Sequence, residues 1–165
     1  MDLKKIIDIL ESSIQNPSKG LPEELFLFLS RITPLINVDL LIKNEKNHTL
    51  LTWRDDGYGP SGWHIPGGII RYKETMAERV KAVAKNELGA EVAFNLAPLA
   101  INEIIHNTRK IRGHFISLLY QCSLLTQPDE NIRCKNNIAN ENEWMWHSSC
   151  PDNIIPFHEI YRNFI

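Results

Sequence analysis

From Trp63 to Ala90 the chain reads WHIPGGIIRYKETMAERVKAVAKNELGA, and its residue types suit the handling of a phosphate and a metal ion. Gly67 and Gly68 follow Pro66; lacking a Cβ, they let the backbone come close to a ligand. Thr75-x-x-Glu78 is a capping box that starts a helix, and Gly89 stands where a left-handed cap ends it. The last turn of that helix carries one carboxylate, Glu87. Two more charged residues stand in unusual places. Asp39 interrupts the apolar run LINVDLLIK, where an unpaired carboxylate is costly, so a ligand contact and a structural bond to nearby backbone are both open. Arg54 ends a later apolar stretch, and its planar, permanently charged fork suits phosphate oxygens.

These groups need elements to hold them. Leu3, Ile6, Ile7, Leu10 and Ile14 recur at helical spacing and predict an amphipathic helix over residues 3–15. Residues 16–20 break it, and Pro22 opens a second helix through Phe28. Residues 35–43 read as a buried strand, 44–47 as a hairpin turn and 49–53 as the returning strand. After the capped helix come strands over 91–94, 100–106 and 113–124, the last two joined by a basic turn at 108–112. A short strand over 143–146 and helical turns over 152–154 and 158–164 close the chain. Strands around one central helix make an α/β sandwich with a mixed sheet. Residues 1–32 are expected to be a helical extension, packed on the core or on a second subunit, and 33–165 the main domain.

Composition narrows the function. With 165 residues, 43% hydrophobic and 23% charged, the chain fits one globular domain. A net charge of -2 gives no electrostatic case for nucleic acid or an anionic membrane. No apolar run approaches a bilayer span, and no signal-peptide core precedes the helical extension. Cys122, Cys134 and Cys150 form no C-x-x-C pair, so reduced thiols in a cytoplasm are expected rather than a disulfide framework or a zinc site.

The spacing of Gly68, Glu74, Glu87 and Gly89 resembles the Nudix box, in which a glycine and a glutamate precede a helix of metal-binding carboxylates. That resemblance implies an α/β/α sandwich and divalent-metal hydrolysis of a diphosphate. Within the family, TPLINVDL at 33–40, LLTWR at 50–54 and GWHIPGG at 62–68 are similar to the GDP-mannose mannosyl hydrolases. Those enzymes imply a nucleoside diphosphate sugar as substrate and a homodimer as the assembly. They also imply attack of water at the sugar carbon, with the metal stabilising the leaving diphosphate. Carried over residue by residue, the Gly67 carbonyl and Glu87 are the metal ligands, for Mg²⁺ or Mn²⁺. Asp39 and Arg54 hold the nucleotide end and the leaving group.

The chain departs from the pattern in three places. The box expects carboxylates at 83 and 86, where Val83 and Asn86 stand, and an arginine at 82, where Ala82 stands. Glu74, the usual partner of that arginine, is then either still part of the box or a residue serving the helix dipole. The family arginine after the glycine pair is Ile69, with Arg71 two residues on as a possible substitute. The catalytic histidine loop reads ANENEWMW at 139–146, so Glu141 or Glu143 is the candidate base, and His114 a further one. His106 also flanks the hairpin that reaches toward the cleft. Two classes of function follow: a Mg²⁺-dependent nucleotide-sugar hydrolase, with phosphorus attack as its chemical variant, and a Nudix-fold binding module without catalysis.

Overall fold

The structure is a computed structural model and describes residues 2–136 and 138–165. Its elements run α1 (Leu3–Ser12), α2 (Glu23–Leu29), β1 (Leu35–Ile42), β2 (Thr49–Arg54), β3 (Gly62–His64), β4 (Gly67–Ile69), α3 (Met76–Leu88), β5 (Val92–Phe94), β6 (Ala100–Ile105), β7 (His114–Leu124) and β8 (Trp144–His147). A 3-10 helix over Pro156–Tyr161 follows β8. The Thr75–Glu78 capping box forms with both reciprocal bonds, and Gly89 takes the left-handed C-cap at φ 64°.

Eleven-residue β7 organises the larger, five-stranded sheet. Along one edge it pairs in parallel with β1, Leu35 opposite Phe115 through Ile42 opposite Cys122. Its other edge takes β6 and then β5, both antiparallel, while β4 lies antiparallel on the far side of β1. The sheet is therefore mixed. Alternate residues feed two cores, because side chains of a strand point to opposite faces. Val38, Leu40, Ile42, Leu118 and Tyr120 meet Val80, Val83, Ala84 and Leu88 of α3. Leu41 and Leu119 face the other way, onto Leu51, Trp63, Ile65 and Tyr161. Burying each such aliphatic side chain contributes about 1.5–3 kcal/mol.

Three expectations need correction. β1 and β2 do not continue as a hairpin: beyond a single bridge between Lys43 and Thr49, β2 leaves to form a second sheet in the order β3-β2-β8. Each strand was readable from its own apolar run, but its partner is set by contacts distant in sequence. The segment before α3 is also more regular than the loop expected of it. Pro66 separates two three-residue strands, β3 and β4, which are too short to show a period. The first helix ends at Ser12 instead of 15, where Ser12 and Ser13 hydroxyls turn back to the carbonyls of Ile9 and Leu10.

Candidate active site

The site begins with the pairing of β1 and β4. Leu40 N–H donates to Pro66 O at 2.8 Å and Ile70 N–H to Ile36 O at 2.9 Å. Gly67, opposite Asp39, is therefore at a non-bonded position, its N–H and C=O turned away from β1. The N–H donates to Glu87 Oε1 at 3.2 Å. A side chain at Gly67 is excluded, since a Cβ would overlap Asp39 Oδ1. At Gly68 a Cβ would come within 2.8 Å of Val83 Cγ2, which ties the glycine pair to the α3 core.

Glu87 is half-buried at the end of α3, and burial pushes its carboxyl up to about 7, against the opposing charge of Arg54. Its Oε2 lies 3.2 Å from the Thr52 hydroxyl, which is itself 3.0 Å from His64 Nε2. His64 Nδ1 faces the Ile65 carbonyl at 2.8 Å, so Nδ1 carries the hydrogen and Nε2 accepts. Burial keeps His64 neutral, well below its ordinary pKa.

No cluster of three metal-ligating Asp, Glu, His or Cys side chains exists among the described residues. The donor set nevertheless fits a weakly held Mg²⁺. One carboxylate beside a free backbone carbonyl leaves the remaining octahedral positions to substrate phosphate and water.

A cavity of about 460 Å³ opens beside Gly67 and Gly68. Asp39 and Asn37 line its floor. Asp39 is 1% exposed, and burial raises its pKa. The carboxylate is satisfied from within: Ser117 and Tyr161 hydroxyls donate to Oδ2, Tyr161 at 2.6 Å, and Asn37 Nδ2 donates to Oδ1 at 2.9 Å. Both readings of Asp39 thus have a physical basis, with side chains rather than backbone as its structural partners.

Arginines form the opposite wall. Arg54 projects from the end of β2, and Arg109 and Arg112 reach in from the β6–β7 turn. Asp56 is their loose counter-ion, with Oδ2 at 3.8 Å from Arg54 Nε and 3.5 Å from Arg112 Nη1. The Arg109 guanidinium lies 4.7 Å over Phe157 and that of Arg112 5.0 Å over Tyr58. His106 also reaches the cavity, its ring 4.1 Å from that of Phe157. His158 lines the wall too, but accepts the Ile65 N–H at 3.0 Å and is pushed down to about 3 by burial.

The remaining sequence candidates lie elsewhere. Arg71 is exposed, its backbone N–H bonded to Glu74 and its side chain near Gly20. Glu141 is exposed, and Glu143 closes its own loop on Asn140 at 3.0 and 3.1 Å. His114 alternates away from the cavity-lining Phe115 and meets Glu103 at 3.3 Å. Strand alternation thus turns His114 from the cavity, and Glu143 is engaged by its own loop. Glu74 pairs neither with residue 82 nor with the helix dipole alone, but with Arg79 at 2.7 Å.

Sequence reading missed Arg79, Arg109 and Arg112 as parts of the site. The last two stand three apart in a turn between strands, which was a signal; their meeting with Arg54 was not. The extension also takes part. Tyr58 donates its hydroxyl to Glu23 of α2, and the Arg112 backbone N–H donates to Ser30 Oγ at 3.2 Å.

Comparison with known proteins agrees with this geometry. The NUDIX domain profile matches residues 33–164. The low-salt glycan biosynthesis protein Agl8 of Haloferax volcanii is 27% identical over 120 residues, 70% of this chain and 74% of that protein. A MutT NUDIX hydrolase from Burkholderia pseudomallei superposes with a TM-score of 0.60 at 19% identity, over 81% of this chain and 98% of that one. A structure described as a UDP-X diphosphatase covers 99% of this chain and 67% of its own, with a TM-score of 0.57 at 16% identity. These two structures show a shared fold.

Proposed function

The chain belongs to the Nudix hydrolase family, and from that premise we propose that it hydrolyses a nucleoside diphosphate sugar of the GDP-mannose type, releasing sugar and nucleoside diphosphate. One observation carries this reading. Val83, where the box would place a carboxylate, is 3% exposed inside the α3 core, and Asn86 is exposed. Glu87 is the box carboxylate that remains, and its Oε1 accepts the N–H of Gly67, which lines the arginine-walled cavity. The helix therefore lacks the machinery to activate water, while the opposite wall is built to receive a departing anion.

In this reading the Gly67 carbonyl and Glu87 would hold Mg²⁺ or Mn²⁺. A bound cation supplies neutralisation of the diphosphate. Arg54 grips the diphosphate oxygens through its fork. Water attacks the sugar C1, the bond from C1 to the diphosphate oxygen breaks, and the water's proton passes to a base. His106 takes that role, because it faces the cavity and Glu141, Glu143 and His114 do not. His158, held neutral by burial and by the Ile65 N–H, is a poor base at neutral pH. The glycan-biosynthesis name of the Haloferax relative supports a sugar-linked substrate. A homodimer belongs to the same reading, supported by the exposed apolar residues Leu3, Ile7 and Ile9 of α1.

Hydrolysis in ¹⁸O-labelled water tests it. Label is expected in the released sugar. Label in a phosphate product would mean attack at phosphorus, and no turnover across a panel of nucleotide sugars with either cation would leave a binding module.

A further inference from the structure

The cavity holds more positive charge than a diphosphate requires. Arg54 sits between two groups of residues. Its charge acts on Glu87 at the glycine end, and also on Arg109 and Arg112 on the hairpin. The proposed cation, less the charge of its Glu87 ligand, and Arg54 together answer the two charges of a diphosphate diester. Arg109 and Arg112 are then left facing Asp56 alone.

That carboxylate is a poor match for them. Its one contact with Arg112 is 3.5 Å, well beyond the roughly 2.7–2.9 Å of a charge-assisted bond, and the same oxygen is shared with Arg54. Arg109 has no carboxylate contact among the described residues; it donates to the Tyr58 carbonyl. Each guanidinium lies over an aromatic ring, Phe157 or Tyr58. Stacking of this kind fixes the plane and leaves the N–H edges available. Burial and the neighbouring Arg54 both lower the pKa of Arg112, so the cluster sits in an environment that favours an incoming anion.

We propose that Arg109 and Arg112 form a second anion subsite, which receives a negatively charged group of the substrate beyond the diphosphate bound near Arg54. The group is a carboxylate on the sugar, as in a uronic acid, or an additional phosphate on the nucleotide. Both offer paired oxygens to a planar fork. The inference rests on the nucleotide-sugar reading of this cavity and assigns the charge of its substrate.

Calorimetric titration of the full chain in Mg²⁺ tests it with matched ligands. The carboxylate arm compares GDP-mannose with GDP-mannuronate and UDP-glucose with UDP-glucuronate. The phosphate arm compares GDP with GTP and UDP with UTP. In one arm the ligand with the extra anion should bind about tenfold tighter, the worth of one charge-assisted bond. That ratio should collapse toward one in Arg109→Gln/Arg112→Gln. Equal affinities within every pair would overturn the subsite, and the wild-type ratios decide this even where the variant does not fold. A ratio unchanged in a folded double variant would also overturn it. Binding of GDP or UDP with no preference in either arm removes the subsite but leaves the nucleotide-sugar reading intact. No binding of any of these ligands removes both.

Discussion

Arg79 grips Glu74 across the entrance to α3: Nη2 and Nε lie 2.7 and 2.9 Å from the same carboxylate oxygen, Oε2. That oxygen also accepts the Arg71 N–H at 2.8 Å, so one carboxylate ties helix to preceding loop. Arg79 is 6% exposed, and its stem runs beside Gly68. Removing either partner leaves the other charge buried, at a cost of about 3 kcal/mol. Glu74→Gln and Arg79→Ala should each lower Tm by about 6–12 °C in scanning calorimetry. An unchanged Tm would show that the pair does not fasten the loop.

If Glu87 holds the cation as proposed, cation binding should depend on pH. Its folded pKa is raised to about 7 from an ordinary 4.5, so in the metal-free protein ionisation works against folding. Stability from this group is full below about pH 4.5 and is lost as pH rises through 7. A divalent cation reverses that loss by binding the carboxylate form. The thermal shift caused by Mg²⁺ should therefore grow between pH 6 and pH 8, and Glu87→Gln should abolish both the shift and most turnover. Full turnover in excess chelator would exclude a metal-assisted reaction.

Arg54→Lys keeps the charge but loses the planar fork. Affinity for GDP in Mg²⁺ should fall about tenfold by calorimetry, with turnover reduced alongside it. If both values match the parent chain, Arg54 serves the surface and not the diphosphate.

The α2 helix braces two walls of the cavity, through Glu23 to Tyr58 and through Ser30 to the Arg112 backbone. Arg112 has φ 50°, a left-handed conformation that a non-glycine residue needs help to keep. Ser30→Ala should raise KM about three- to tenfold while kcat stays near its starting value. A fall in kcat with KM unchanged would argue against a brace for substrate binding.

Sequence legibility divides along physical lines. Local signals were readable: the capping box at Thr75, the cap at Gly89 and the basic turn between β6 and β7 each depend on a few neighbouring residues. The Gly68 to Gly89 spacing pointed to the family for the same reason. What could not be read depends on distant partners. Tyr161 lies 122 residues from the Asp39 carboxylate it satisfies, and nothing in either local sequence announces the pair. Arg109 gains its place only when the β6–β7 turn folds over Phe157. The surroundings of the base candidates were hidden for a related reason: Glu143 stands beside Trp144, yet its side chain bonds Asn140 of its own loop.

The Thr52 hydroxyl has one hydrogen and two acceptors within reach, His64 Nε2 at 3.0 Å and Glu87 Oε2 at 3.2 Å. When Glu87 holds a proton, every donor in the row has a home: Glu87 gives to Thr52, Thr52 to His64, and His64 to the Ile65 carbonyl. Once Glu87 ionises to take a cation, Thr52 can turn its hydrogen to the carboxylate, and His64 Nε2 is then left without a donor. With Glu87 ionised and no cation on it, one of the two acceptors goes short whichever way the hydroxyl points. Burial thus favours the neutral acid at Glu87, and on the proposed function a cation bound there would have to displace that proton. Weak cation affinity before substrate arrives is then the expected consequence of a threonine that would not touch the ion.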